Sequence, residues 1–113
     1  DVSIRHAIAG HAMNDHAFAL TVRRNVAESQ STQAPSFVSS MFKFYGTEQN
    51  KQRLELMIQA MGTQMLGWEG EGFEPAELTQ TRAWLRSKAN SIEGGTSEVQ
   101  LNIIAKRVLG LPD

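Results

Sequence analysis

The tightest constraint on this chain lies near its end, where Gly94 and Gly95 run directly into a strong helix start. Ser97 is placed to act as N-cap and Gln100, three residues on, to complete a capping box. Glu98 puts a negative charge in the first turn, where the helix dipole favours it. Val99, Ile103 and Ile104, then Leu101, Ile104 and Val108, follow at helical spacing. Lys106 and Arg107 fall in the last turn, Gly110 stands as a C-terminal stop and Pro112 follows it. A glycine pair in this place has two readings. It makes a tight turn between helices, or it lets a flat or anionic ligand approach bare backbone N–H groups.

Upstream, residues 1 to about 29 read as one helix, with Ile4, Ile8, Ala12, Phe18 and Val22 as an approximate apolar stripe and Asp1 to Ser3 as capping material. His6, His11 and His16 recur every five residues, so successive rings are turned by about 140°. Metal ligands must converge on one face, and the expected roles of these histidines are solvated or locally bonded ones. Ser29 to Gln33 reads as a polar linker, after which Ala34-Pro35 suits the first turn of a second helix. Phe37, Met41, Phe44 and Tyr45 are in phase with Leu54, Met57, Ile58, Met61 and Met65. Gly46 costs about 1 kcal/mol relative to alanine in a helix interior, which allows a break there. The methionines read as core filler.

Gly62 to Glu74 is the glycine-rich loop of the chain. Its Trp68 and Phe73 either tuck onto the end of the bundle or mark a substrate or subunit boundary. Pro75 restarts a helix whose expected buried edge is Leu78, Thr81, Leu85, Ala89 and Ile92. Arg82 and Arg86 lie four residues apart on a common face and repel unless solvated or near an acid or anion. Four helices of unequal length with short connections make an antiparallel bundle, or most of one.

With 113 residues there is room for one small domain but not two. A net charge of −1 calls for neither nucleic acid nor an anionic membrane surface, and no apolar run is long enough to span a bilayer. The absence of cysteine excludes disulfides and thiolate metal sites. The opening residues do not read as a signal peptide, and the default expectation is a cytoplasmic protein.

The run Ile92-Glu93-Gly94-Gly95-Thr96-Ser97-Glu98-Val99-Gln100-Leu101-Asn102-Ile103-Ile104-Ala105-Lys106-Arg107-Val108-Leu109-Gly110-Leu111-Pro112 closely resembles the C-terminal signature of the acyl-CoA dehydrogenases. The resemblance implies an all-α, antiparallel four-helix bundle over residues 1–113. It also implies that the bundle's first helix and the family's N-terminal helical and middle β domains are absent. It favours one long second helix, since its counterpart spans the bundle. The implied activity is FAD-dependent oxidation of acyl-CoA thioesters to trans-2-enoyl-CoA, with electron-transfer flavoprotein as acceptor; an acyl-CoA oxidase would pass electrons to oxygen instead. The implied partners are further copies in a dimer or tetramer, or the rest of the same enzyme.

In many members the catalytic glutamate immediately precedes the Gly-Thr pair, a position that Gly94 occupies here, with Glu93 one residue earlier. Three outcomes stay open. Glu93 serves after a local adjustment, the base comes from the first helix as in members with Gly-Gly-Thr, or the chain is an inactive partner of an active subunit. The Thr-Ser-Glu triplet that borders the flavin matches Thr96, Ser97 and Glu98. A Gln-x-x-Gly-Gly segment that reaches the neighbouring subunit's FAD matches Gln59 and Gly62, with Thr63 replacing the second glycine. A reading of a different class is a non-catalytic helical assembly module.

Overall fold

The computed structural model describes residues 1–30 and 38–112. Within them lie four helices: α1 (Val2–Ser29), α2 (Val38–Met61), α3 (Pro75–Ser87) and α4 (Ser97–Ile103). A 3-10 turn, Gly62–Leu66, extends α2; another, Lys88–Ser91, extends α3; and α4 widens into a π-helical turn, Ile104–Val108. The expected linker after residue 30 and the helix start at Ala34-Pro35, with Phe37, lie outside the described residues.

Local signals account for most boundaries. Asp1 caps α1 by accepting from the Ser3 backbone N–H at 2.7 Å. Pro75 sits in the first turn of α3, and the Glu77 carboxylate takes the Glu74 N–H at 2.9 Å. Past the π-helical turn, the Leu111 N–H reaches the Ala105 carbonyl at 2.9 Å around Gly110, whose φ is 65°. That is a helix stop of the expected kind, widened by one residue.

Side-chain pairings give the helix directions. Phe18 of α1 meets Phe42 and Tyr45 of α2, with ring centroids 5.9 and 5.2 Å apart. His11 and Asp15, earlier in α1, share a small cavity with Gln49, Asn50 and Arg53, later in α2. Contacts from α2 to the third helical stretch run the same way, from Glu55 with Trp84 back to Asn50 with Asn90. Both pairs are therefore antiparallel.

Helix α2 is unbroken through Gly46, and the contacts explain the glycine. A Cβ at this position would stand 3.3 Å from the Phe18 ring, so the missing side chain lets α1 and α2 approach. The apolar phase expected for α2 is incomplete, however. Leu54 and Ile58 are buried as expected, but so is Leu56, about 160° away around the helix. The reason is that α2 packs against α1 and α3 and α4, so one stripe is not enough. Met57, Met61 and Met65 are half-buried at its margins, whereas Met41 stays exposed.

The α3 edge also departs from expectation. Thr81 and Ser87 are buried, while Leu85 and Ile92 are 46% and 67% exposed. The 3-10 turn after Ser87 tightens the repeat and turns Ile92 outward. In the loop, Phe73 covers the backbone of Gly67, while Trp68 is half-exposed under the Arg82 guanidinium, which also donates to the Trp68 carbonyl at 2.7 Å. Of the two aromatics, only Phe73 tucks in.

Buried apolar side chains are confined, among the described residues, to Leu54, Leu56 and Ile58. No residue of α1 is fully buried, and Val2, Ile8, Met13, Leu20 and Val26 stand exposed along it. The radius of gyration is 17.6 Å, against about 13 Å for a compact domain of this length. With so small a core, each buried group weighs heavily. Ile58→Ala is expected to remove about 2–5 kcal/mol of stability in chemical denaturation. A loss below about 0.5 kcal/mol, the scale of a surface change, would show that the core lies elsewhere.

Candidate functional site

The turn joining α3 to α4 is built from the chain outward. The N–H groups of Ile92 and Glu93 both bond the Ala89 carbonyl, at 2.9 and 3.0 Å, closing the 3-10 stretch. Gly94 and Gly95 then reverse the chain at φ of 67° and 93°, a left-handed region that other residues rarely enter. A Cβ at position 95 would lie 2.6 Å from the Gln100 amide nitrogen. The bare glycine lets Gln100 fold back and donate to the Gly94 carbonyl at 3.1 Å. From α2, the Lys43 ammonium donates to the Gly95 carbonyl at 2.6 Å and the Asn90 carbonyl at 3.1 Å. The Asn50 amide adds a bond to the Asn90 side chain at 3.2 Å.

The helix start differs from expectation by one residue. Thr96, extended at φ −62° and ψ 162°, is the N-cap, and its hydroxyl accepts from the Val99 N–H at 3.3 Å. Ser97 is already helical. Gln100 is buried against the turn, so no capping box forms. The Glu98 carboxylate takes its own backbone N–H and the Thr96 hydroxyl, and these hold it below the usual carboxylate range. Thr96 and Glu98 thus satisfy each other locally. The Ser97 hydroxyl does not: its oxygen is buried and without a hydrogen-bond partner among the described residues. Such a group is a costly thing to leave unpaired.

Thr96, Ser97 and Glu98 line an open cleft of about 440 Å³, faced from α2 by Phe44, Glu48 and Lys51. Glu93 is elsewhere. It borders a second cleft with Lys43, Thr47, Asn50 and Asn90, and Gly94 presents no side chain to either. The Glu93 carboxylate is exposed and receives two bonds from Arg86, at 2.8 and 3.5 Å, and a third from the Asn90 amide. The Arg86 guanidinium, and after it Asn90, hold its pKa below the ordinary glutamate range. Arg82 and Arg86 are therefore each engaged within the chain, one with the Trp68 carbonyl and ring, the other with Glu93.

Gln59, Gly62 and Thr63 lie at the far end of α2 and are exposed. Gln59 is eleven residues beyond Glu48, about 16 Å along the helix axis, so the two sets of expected contacts are not brought together within one chain. His6 and His16 are exposed. His11 is half-buried, with Nδ1 lacking a partner among the described residues, which differs from the solvated or locally bonded role expected of it. No group of three potential metal ligands occurs among the described residues.

Lys43, Asn50 and Asn90 did not announce themselves by spacing. One signal was legible: Lys43 is a lone cation inside the apolar run Met41-Phe42-Lys43-Phe44-Tyr45. A buried or half-buried ammonium in such a place requires acceptors.

Residues 1–109 match the protein family described as acyl-CoA dehydrogenase, C-terminal domain. A curated relative, acyl-CoA dehydrogenase IpdE1 of Mycolicibacterium smegmatis, is 49% identical over 47 residues, which is 41% of this chain. The match spans 12% of that relative's length. No solved structure matches.

The Arg86–Glu93 pair makes a direct prediction. The depressed carboxyl stabilises the fold above the pKa it has when unfolded, and that contribution disappears as pH falls through the lower folded value. In Arg86→Ala, carbon-detected NMR should show Glu93 titrating at higher pH than in the parent. An unchanged titration would mean that the pair does not form in solution.

Proposed function

Since the chain belongs, through its helical C-terminal domain, to the acyl-CoA dehydrogenase family, we propose that it is part of an FAD-dependent enzyme that oxidises acyl-CoA thioesters to trans-2-enoyl-CoA. The observation that carries this reading at the site is the unpartnered, buried Ser97 hydroxyl beside an open cleft, within the triplet where the resemblance puts the flavin contact. The residues fit the group. Ser97 offers a donor at the cleft wall, and Lys51, ion-paired with Glu48 at 2.9 Å, lines the same cleft. When bound, FAD supplies the acceptor for the hydride that leaves the substrate's β carbon.

Gln59 and Gly62 form the second contact, with an amide and a bare, exposed backbone available to the FAD of a neighbouring subunit. Thr63 narrows that contact relative to a second glycine. The partners on this reading are further copies of the enzyme, its own upstream domains, and electron-transfer flavoprotein as acceptor. The apolar residues left exposed along α1 support a neighbour of this kind.

The base is better assigned outside this chain. A general base works best with a pKa near the operating pH, which for a carboxylate requires burial. Glu93 is exposed, ion-paired and shifted the other way. Gly94, at the family's position for the glutamate, has no side chain. The first helix of the bundle is then the source of the carboxylate.

The test is made on the polypeptide that carries this bundle together with its upstream domains. A flavin absorption band that bleaches on anaerobic addition of acyl-CoA supports the dehydrogenase. A correctly folded polypeptide without flavin would favour the assembly module. Ser97→Ala is expected to weaken flavin binding by roughly two- to tenfold, the scale of one hydrogen bond. Glu93→Gln is expected to lower kcat by less than about tenfold, whereas a loss of about a thousandfold, the scale of a lost general base, would restore Glu93 to that role.

A further inference from the structure

We propose that Lys43 is a positioning residue for the reaction, setting the conformation of the turn that presents Thr96 and Ser97 to the flavin. The inference rests on the reading of those residues given above.

Three carbonyls of the turn, those of Asn90, Gly94 and Gly95, accept from side chains and not from the backbone of a helix. Gln100 takes Gly94 from within α4, while Lys43 takes both Asn90 and Gly95 from α2. Of these two side chains only Lys43 connects the turn to another helix, through the backbone before the glycine pair and at its second member. Its methylene stem also passes the turn, since a Cβ at Gly94 would stand 3.8 Å from the Lys43 Cε. The remaining link, Asn50 to Asn90, touches only the side chain before the glycines.

Two adjacent glycines at φ of 67° and 93° form the most permissive backbone in this part of the chain. A segment of that kind holds a single conformation only if outside contacts select it. The contact that does so is short, half-buried and carries a full charge, the class of hydrogen bond that is strongest in proteins. Immediately after it come the N-cap Thr96 and the unpartnered Ser97. Lys43 is absent from the cleft that Ser97 lines, so it acts on that cleft through the turn and not by touching what occupies it.

The experiment uses the flavin-loaded full-length enzyme in three forms: parent, Lys43→Met and Lys43→Arg. Lys43→Met keeps the stem and removes the donors, and Lys43→Arg restores two donors on a planar fork. In Lys43→Met the visible spectrum of the bound flavin should shift, and kcat should fall by about ten- to a hundredfold with a much smaller change in KM, as for a misplaced reacting group. Amide hydrogen exchange should accelerate at Gly94 to Val99. Lys43→Arg should recover part of each effect. A residue that only stabilises the fold would lower the unfolding midpoint and leave the spectrum and kcat of folded enzyme unchanged, and that result overturns the proposal. If Lys43→Met fails to fold, Lys43→Arg carries the test: faster turn exchange together with a shifted spectrum supports it, and faster turn exchange with a parental spectrum overturns it. A parent enzyme that holds no flavin overturns the underlying reading and this proposal together, whereas a flavin-bearing parent with an indifferent Lys43→Met overturns this proposal alone.

Discussion

Helix α2 has to serve as a wall for three neighbours at once, and most of the architecture follows from that demand. Leu54 and Ile58 point one way and Leu56 nearly the opposite way, yet all three are buried. Gly46 is bare because the Phe18 ring of α1 lies against it. Glu55 takes the Trp84 indole N–H and the Lys88 ammonium from the α3 side, at 2.6 and 3.0 Å. Lys43 and Asn50 hold the turn before α4. A helix used on several faces cannot show a clean amphipathic stripe, because each face asks for its own set of residues.

The same demand separates structure from chemistry around the glycine turn. Glu93 looks in sequence like the nearest carboxylate to the family's base position, but its surroundings make it an anchor. Arg86 and Asn90 keep it ionised and fix it on the side of the turn away from the Thr96–Glu98 cleft. An exposed pair of this type adds little stability, because solvent screens it and two flexible side chains must be ordered. Its effect is directional: it fixes where the last turn of the third helical stretch ends, and so where the glycines begin.

Much of the fold could be read from residues alone, and the failures share a cause. The long first helix, the proline restart at Pro75, the first-turn Glu98 and the stop at Gly110 depend on neighbours a few positions away, so local rules suffice. The misread elements depend on tertiary contacts. Ser97 looked like the cap because serine and Gln100 satisfy the local capping pattern. Gln100 has a better use, filling the space above Gly95 and bonding Gly94, and the cap falls to Thr96. Ile92 looked buried because the α-helical phase was carried through a stretch that tightens to three residues per turn. Leu56 and Lys43 were hidden because a single-helix pattern contains no information about a second or third neighbour. For the site, the triplet was legible as a match to a family signature. That the Ser97 hydroxyl of this triplet stays unengaged among the described residues depends on tertiary packing.

The length of α2 then becomes a functional quantity under the proposed reading. Its middle faces the Thr96–Glu98 cleft and its end carries Gln59 and Gly62, with about 16 Å of unbroken helix between Glu48 and Gln59. A hydrogen-bonded helix does not stretch, so the two flavin-facing segments hold a fixed separation however the loops move. If they serve the flavins of two different subunits, that separation is imposed on the assembly, and a break at Gly46 would leave the Lys43 contact on one rigid body and Gln59 on the other. The close fit of the Phe18 ring over Gly46 guards against such a break, because the α1–α2 contact spans the weakest point of the helix. The glycine that lowers local helix propensity is also the one that lets α1 brace it.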